Sequence, residues 1–261
     1  MTRKSCLAAL AALCLLLSSC GTTPKWQFTL ETWYDTDDYL ARDSGKLLAW
    51  YEIELPRLAL HSDSAAPGAE PPTELTAARD AFNGELESFR ARLLREYDDR
   101  RSDAMGGYID SGEREWNASA LVSLSVTRTR QTERLVSALA EGWEDYSGAH
   151  PWHNVHAWNF DLTEGRFLRW YDLTDDPDAL RAAIAASVTA QARESAARFY
   201  DGWEDAAASM DGCAVYFAEE GLVVAFSEGQ LGGHAALTPT FTVPYDTVER
   251  YFNAYGKQIV K

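Results

Sequence analysis

Hydrophobic positions in two long stretches of the chain recur every three or four residues, which is the spacing of one face of an α-helix. The first stretch covers residues 73 to about 100, and it begins at Thr73, a residue type that caps helix N-termini. The pair Gly106-Gly107 is expected to end this helical run. The second stretch covers residues 175–200 and starts with acidic side chains, which the positive end of a helix dipole favours. Both stretches are predicted to be long helices.

Shorter segments show the patterns of β-strands. Residues 47–55 are strand-like, and Pro56 is expected to end or bend that strand. Apolar residues at every second position predict a half-buried strand over residues 117–130. The secondary structure of the acidic segment 131–147 is ambiguous. The other predicted strands cover residues 155–162, 166–171, 214–217, 222–226 and 241–243, and a short helix is predicted after Pro244.

This order of elements indicates an α+β fold, built mainly from antiparallel hairpins with two long helices. The turn at residues 163–165 contains Gly165, and glycine readily adopts the left-handed backbone that such a turn needs. Residues 20–44 are polar with scattered aromatic side chains. We interpret them as a tether, with folded structure expected to begin near Trp33 and Tyr34.

The N-terminus has the features of a bacterial export signal. Arg3 and Lys4 precede an apolar run at residues 7–17, and Leu17-Ser18-Ser19-Cys20 has the order that lipoprotein maturation requires. Residues 1–19 are therefore predicted to be a lipoprotein signal peptide, and Cys20 to become the lipidated first residue. The apolar run is shorter than the ~20 residues that a spanning helix needs. The alternative is a plain secretory signal with incidental cysteines.

The chain is strongly acidic, with 40 Asp and Glu against 24 Lys and Arg and a formal charge of -16. Removal of residues 1–19 would take away two positive charges, so the remaining chain would be more acidic still. A nucleic-acid partner is not expected, because phosphate binding depends on clustered Lys and Arg. Long-range electrostatic attraction favours cationic partners. The alternative is that the acidic surface only keeps the protein soluble.

The densest group of titratable side chains is His150-Pro151-Trp152-His153-Asn154-Val155-His156. Three imidazoles could in principle bind zinc. In a β-strand, however, His153 and His156 point to opposite faces, whereas a polyproline-like turn would align all three. The sequence contains no His-Glu-x-x-His metalloprotease motif and no Gly-x-Ser-x-Gly nucleophile motif. A conformational or binding turn is the favoured interpretation, so neither a metal nor another cofactor is expected.

The same region resembles a known family. Gly148-Ala149-His150-Pro151, followed by Trp158-Asn159-Phe160-Asp161-Leu162, is similar to the signature of the extracellular C-terminal domain of RsiV-type anti-sigma factors, a family of domains of unknown function. Upstream, residues 51–56 resemble the smaller domain that precedes it there and in PdaC-type deacetylases. The resemblance covers about residues 45–253. The segment 228–234 departs from the proline- and tyrosine-rich stretch that is common in the family.

The resemblance implies an α+β, non-enzymatic exported module in two intimate subdomains, a PdaC-like one at residues 45–145 and an RsiV-like one at 146–261. In RsiV proteins the corresponding region binds lysozyme. The motif residues His150, Pro151, Asn159 and Asp161 are the candidate binding residues. Asn159 and Asp161 could equally stabilise the turn and the hairpin by hydrogen bonds.

We therefore expect a lipid-anchored binding protein of the cell envelope. Its candidate partners are lysozyme, another cationic protein, or the glycan of the cell wall peptidoglycan, besides the membrane that receives the acyl chains of Cys20. An Asp directly after the lipidated cysteine often retains lipoproteins at the inner membrane, but this chain has Gly21 there. If the cell has two membranes, the outer membrane is therefore the expected location. The alternative is a metal-dependent envelope hydrolase that uses His150, His153 and His156.

Overall fold

A six-stranded sheet forms the larger part of the fold. The computed structural model describes residues 24–42, 44–110, 120–146 and 150–261. The strands lie in sequential order, and neighbours are antiparallel except for β2 and β3, which are parallel. The strands are β1 (Gln27–Leu40), β2 (Leu47–His61), β3 (Ala120–Gln131), β4 (Leu135–Tyr146), β5 (Trp152–Asp161) and β6 (Arg166–Leu168).

Helix α1 (Thr73–Asp110) connects β2 to β3, because two parallel strands need a long crossover connection. Its apolar side, including Phe82 and Tyr97, packs against the inward side chains of β2 such as Ile53. The prediction that Gly106-Gly107 ends this helix is wrong, since α1 continues to Asp110. A helical glycine costs only about 1 kcal/mol relative to alanine. Beyond the pair, Tyr108 is buried against Ala41 and Leu48, which holds the last turn in place.

The segment that the sequence suggested as a tether includes β1, an edge strand paired with β2 from Gln27 to Leu40. Trp33 packs against the core under α1. The guanidinium of Arg90 on α1 lies 4.9 Å from the centre of the Trp33 ring, and its Nε donates a 2.7 Å hydrogen bond to Asp35. These contacts hold β1 in the sheet.

Strand β2 also runs further than predicted, because Pro56 does not end it. Residue 56 pairs with Thr32 of β1, whereas β3 pairs with β2 only over residues 49–53. Pro56 therefore lies where β2 has a neighbouring strand on one side only, and proline is tolerated at such positions because it lacks a backbone donor.

The ambiguous acidic segment forms β4, a central strand between β3 and β5. Its first half, Leu135 to Ala140, is buried at every position. A strand that is buried on both faces has no alternation of apolar and polar residues. This is why the pattern gave no clear prediction there.

A second, three-stranded antiparallel sheet contains β7 (Ala214–Phe217), β8 (Gly221–Ala225) and β9 (Thr240–Pro244). Side chains of β4 and β5, such as Leu139 and Val155, pack against Tyr216 and Val223 of this sheet. Strands β5 and β6 lie beyond residue 145 but complete the first sheet, so that sheet crosses the predicted subdomain boundary.

The second predicted long helix is shorter than expected. Helix α2 (Pro177–Ala192) is capped at its N-terminus by Asp176, whose side chain accepts a 3.1 Å hydrogen bond from the Ala179 N–H. After residue 192 the chain forms a 3₁₀ segment in which Ser195 leaves helical geometry. The later helices are short: α3 (Trp203–Ser209), α4 (Tyr245–Val248) and α5 (Ala254–Ile259). The fold is thus α+β and mostly antiparallel, with α1 as its one long helix among the described residues.

Candidate functional site

The three histidines near residue 150 do not come together. His153 and His156 lie on β5 and point to opposite faces of the sheet, as a strand requires. The His156 ring packs against Phe89 of α1, with ring centres 4.7 Å apart. Burial, with a smaller contribution from the positive charge of Arg92, lowers the pKa of His156 to about 4. The ligand set His150, His153 and His156 is therefore not assembled.

Two of these histidines instead meet the loop that follows β8. The imidazole of His150 stacks on that of His234, with ring centres 4.2 Å apart and planes inclined by 25°. The His153 ring lies 5.8 Å from the same His234 ring. The carboxylate of Glu228 is next to both stacked rings, with Oε1 3.4 Å from His234 Nδ1 and 3.8 Å from His150 Nδ1. We call His150, Glu228 and His234 the Glu228 cluster.

The Glu228 side chain is only 1% exposed, and β5 determines its position. Its Oε2 accepts a 3.1 Å hydrogen bond from the backbone N–H of His153. The Glu228 N–H in turn donates to the His153 carbonyl at 2.9 Å, and Ser227 Oγ accepts from the Val155 N–H at 3.1 Å. The loop thus continues the hydrogen bonding of β5, which leaves Oε1 directed towards the two imidazoles.

Glycines let this loop approach aromatic side chains closely. Gly229 has a φ of +85°, and a Cβ there would lie 2.8 Å from the Trp152 ring. A Cβ on Gly233 would lie 2.9 Å from the Tyr200 hydroxyl. Trp152 is 48% exposed and Tyr200 55% exposed. The Glu228 cluster therefore opens to solvent beside two exposed aromatic rings.

The other motif residues have structural contacts. Pro151 directly precedes β5, and its carbonyl oxygen lies 3.1 Å from His150 Nδ1. Asn159 is buried between the two sheets. Its Nδ2 donates to the Val215 carbonyl at 2.7 Å, and its Oδ1 accepts from the Phe217 N–H at 3.0 Å. Asn159 therefore joins β5 to β7.

Asp161 stabilises the turn after β5. Its Oδ1 accepts hydrogen bonds from the backbone N–H groups of Thr163 and Glu164, and its Oδ2 accepts from Arg134 and from the Tyr255 hydroxyl. Burial alone would raise the pKa of Asp161, but these hydrogen bonds outweigh it, so the pKa lies below its usual range. Asp161 thus stabilises the turn, which was the structural alternative for both residues, whereas Asn159 joins two sheets and does not contact the turn through these hydrogen bonds.

Sequence reasoning missed Glu228 and His234 because they are far from His150 along the chain. One signal could have drawn attention to them: the chain has only five histidines, and His234 follows a glycine-rich loop that begins with Glu228. Three of the five histidines lie around this one buried carboxylate.

A second candidate surface lies on the face of the six-stranded sheet opposite α1. Tyr51, Ile53 and Leu55 pack under α1, so the alternate residues of β2 point to the other face. Cross-strand pairing continues this row, because Glu52 pairs with Ser123, which pairs with Trp143. We call this surface the acidic face. It consists of Tyr34, Trp50, Glu52, Glu54, Glu141 and Trp143.

Side-chain contacts order the acidic face. The Trp50 and Trp143 rings meet edge to face with centres 5.6 Å apart. The Tyr34 hydroxyl donates to Glu52 Oε1 at 3.1 Å, and the Val126 N–H donates to Glu54 Oε2 at 3.2 Å. The face therefore presents carboxylates beside aromatic rings. It adjoins the Glu228 cluster, because Trp143 pairs across the strands with His153.

Cys20 lies outside the described residues, as do Gly148 and Ala149 of the family motif, so its lipidation stays a prediction. Across the parts of the chain that the structure describes, the helices are too short or too polar to cross a membrane.

Comparisons with known proteins identify relatives by fold alone. Neither protein-family models nor curated proteins match the chain. A DUF3298 family member from Bacteroides fragilis NCTC 9343 has a TM-score of 0.62 at 14% identity, over 92% of this chain and 98% of that one. A DUF3298 family protein from Pseudomonas aeruginosa PAO1 has a TM-score of 0.53 at 13% identity, over 87% of this chain and 95% of that one. The chain thus shares its fold with a family of domains of unknown function.

Proposed function

We propose that this protein is a lipid-anchored, non-enzymatic binding protein of the bacterial cell envelope, and that a cationic protein binds to its acidic face. The observation that carries the proposal is the row of carboxylates on β2 and β4 beside Trp50 and Trp143. Lysozyme is the first candidate partner, because the sequence resembles the lysozyme-binding region of RsiV-type proteins and the solved structures with this fold belong to a domain-of-unknown-function family.

Charge and aromatic content support this assignment together. The formal charge of -16 attracts cationic proteins over distance and raises association rates, and salt weakens this effect. Tryptophan and tyrosine are enriched in protein interfaces, where their rings supply apolar contact area. Long-range attraction alone does not distinguish one basic protein from another, so the ordered carboxylates and rings would provide the specificity.

The binding test compares a c-type lysozyme with a basic control protein of matched charge, at low and at physiological salt. The double variant Glu52→Gln/Glu54→Gln removes two charges but keeps oxygen acceptors for Tyr34 and Val126. We expect about tenfold weaker lysozyme binding, since two ion pairs would be lost and each contributes roughly 0.7 kcal/mol at an exposed interface.

The matched control is Glu204→Gln/Asp205→Asn on α3, which changes the charge equally at exposed positions elsewhere. It should leave lysozyme affinity within about twofold of the parent protein. Equal loss in both double variants, or binding that matches the basic control and disappears at physiological salt, would reject a specific role for the acidic face. Binding to purified peptidoglycan in place of lysozyme would reject the protein partner.

The anchor is tested separately. Metabolic labelling with palmitate should mark the wild-type protein and place it in the membrane fraction, on the outer membrane if the cell has two. The Cys20→Ser variant should lose both the label and the membrane association, because acyl chains contribute about 0.8 kcal/mol per buried methylene. A Cys20→Ser protein that stays in the membrane fraction would contradict lipid anchoring at this residue.

A further inference from the structure

We propose that His150, Glu228 and His234 form a binding site for a divalent transition-metal ion, with Zn²⁺ as the best match. One ligand atom from each of the three residues lies within 4.8 Å of the others. Ligand atoms around a tetrahedral Zn²⁺ are about 3.4 Å apart, given bond lengths near 2.1 Å. The Glu228 Oε1 to His234 Nδ1 distance is 3.4 Å and the distance to His150 Nδ1 is 3.8 Å. His150 Nδ1 also lies 3.1 Å from the Pro151 carbonyl, and the two imidazoles are stacked, so both rings would have to turn for one nitrogen of each to face the ion.

The donor set selects the class of metal. Imidazole nitrogens suit zinc, copper, iron and nickel, whereas magnesium and calcium prefer oxygen ligands throughout. Two histidines and one glutamate form a common three-residue set for zinc, and the fourth position then holds water or another ligand. The side chains of His150 and His234 are 44% and 45% exposed, so that fourth position would be open to solvent.

The burial of Glu228 is the second argument. A carboxylate that is removed from water needs a compensating positive charge or several hydrogen bonds. The backbone N–H of His153 satisfies Oε2, while the neighbours of Oε1 in the cluster are the two imidazoles. A bound cation would place a positive charge next to Oε1.

The loop also holds the carboxylate ready for a ligand. The Glu228 N–H donates to the His153 carbonyl, and the Glu228 carboxylate accepts from the His153 N–H, so β5 fixes one ligand. The two histidines come from different segments, one before β5 and one after β8, so a bound ion would join these segments. This inference goes beyond the proposed partner binding and does not depend on it.

The experiment uses the full chain without a histidine tag, treated with a chelator and then titrated with Zn²⁺ by calorimetry at neutral pH. We expect one equivalent of Zn²⁺ with micromolar or tighter affinity. The variants His150→Ala and His234→Ala should each weaken binding at least tenfold, and both change partly exposed side chains, so circular dichroism can verify that they fold. His61→Gln removes an exposed histidine elsewhere and should bind Zn²⁺ like the parent protein.

A second readout follows the geometry. Co²⁺ in place of Zn²⁺ should give the strong visible absorption of a four-coordinate ion, and His234→Ala should remove it. Failure to retain Zn²⁺, or equal affinity in the parent protein and in both histidine variants, would overturn the site. The Glu52→Gln/Glu54→Gln protein should keep full Zn²⁺ binding, so a failure of the lysozyme proposal is distinguishable from a failure of this one.

Discussion

The largely buried imidazole of His156 makes the stability of the fold depend on pH. Its pKa is about 4 in the folded protein, against 6.5 for an ordinary histidine. Because the folded-state pKa is lowered, the unfolded chain binds the proton more readily as the pH falls. The stabilising effect of a neutral His156 is therefore complete above pH 6.5 and is lost progressively as the pH falls towards 4.

The magnitude follows from the two pKa values. At pH 4.5 the unfolded histidine is almost fully protonated, whereas the folded one is mostly neutral. Linkage between these states removes about 2–3 kcal/mol from the free energy of unfolding at pH 4.5, relative to pH 7.5. The free energy of unfolding of a typical domain is roughly 5–15 kcal/mol, so this loss is a substantial part of it.

Urea denaturation of the parent protein and of His156→Phe at both pH values isolates this effect. Phenylalanine keeps an aromatic ring against Phe89 but does not titrate, and the titration of other groups such as Asp161 cancels between the two proteins. The parent protein should lose about 2–3 kcal/mol more than His156→Phe between pH 7.5 and pH 4.5. His61→Gln should follow the parent protein. Equal losses in the parent protein and His156→Phe would refute the assignment of a buried, neutral His156.

Two further predictions concern the packing of the fold. Asn159→Leu should lower the free energy of unfolding by about 1–3 kcal/mol, because the Val215 carbonyl would lose its Asn159 donor and the Phe217 N–H would keep only the Ser137 hydroxyl as acceptor; an unchanged urea midpoint would contradict the bridging role of Asn159. Gly84→Ala should stabilise the protein by about 0.5–1 kcal/mol, because the new methyl group on α1 meets open space. Gly221→Ala should instead destabilise it, because the methyl group would collide with the backbone of Val243; thermal unfolding that ranks the two alanine variants in the opposite order would show this reasoning to be wrong.

An element that buries only one of its sides shows a regular spacing of apolar residues, and that spacing made it predictable from the sequence. The apolar stripe of α1 belongs to this class. The hairpin around Gly165 was predicted from its turn instead, and Gly165 has the expected left-handed φ of +63°. Strand β4 has no such signature, because its first half is buried on both faces. The polar residues of β1 predicted a tether, since an edge strand buries few of its side chains and much of its pairing is through the backbone.

The candidate sites divide in the same way. The sequence by itself singled out His150 as a candidate binding residue and left open whether a strand would separate His153 from His156 or a turn would align them. Strand β5 decided this, because it begins at Trp152. Glu228 and His234 belong to the segment after β8. Hydrogen bonds between that segment and β5 bring Glu228 next to His150, and the His234 ring stacks on the His150 ring. The acidic face likewise required the register of β2, β3 and β4. Residue order determines which side of an element a residue occupies, whereas contacts between distant segments depend on how the sheets pair and pack.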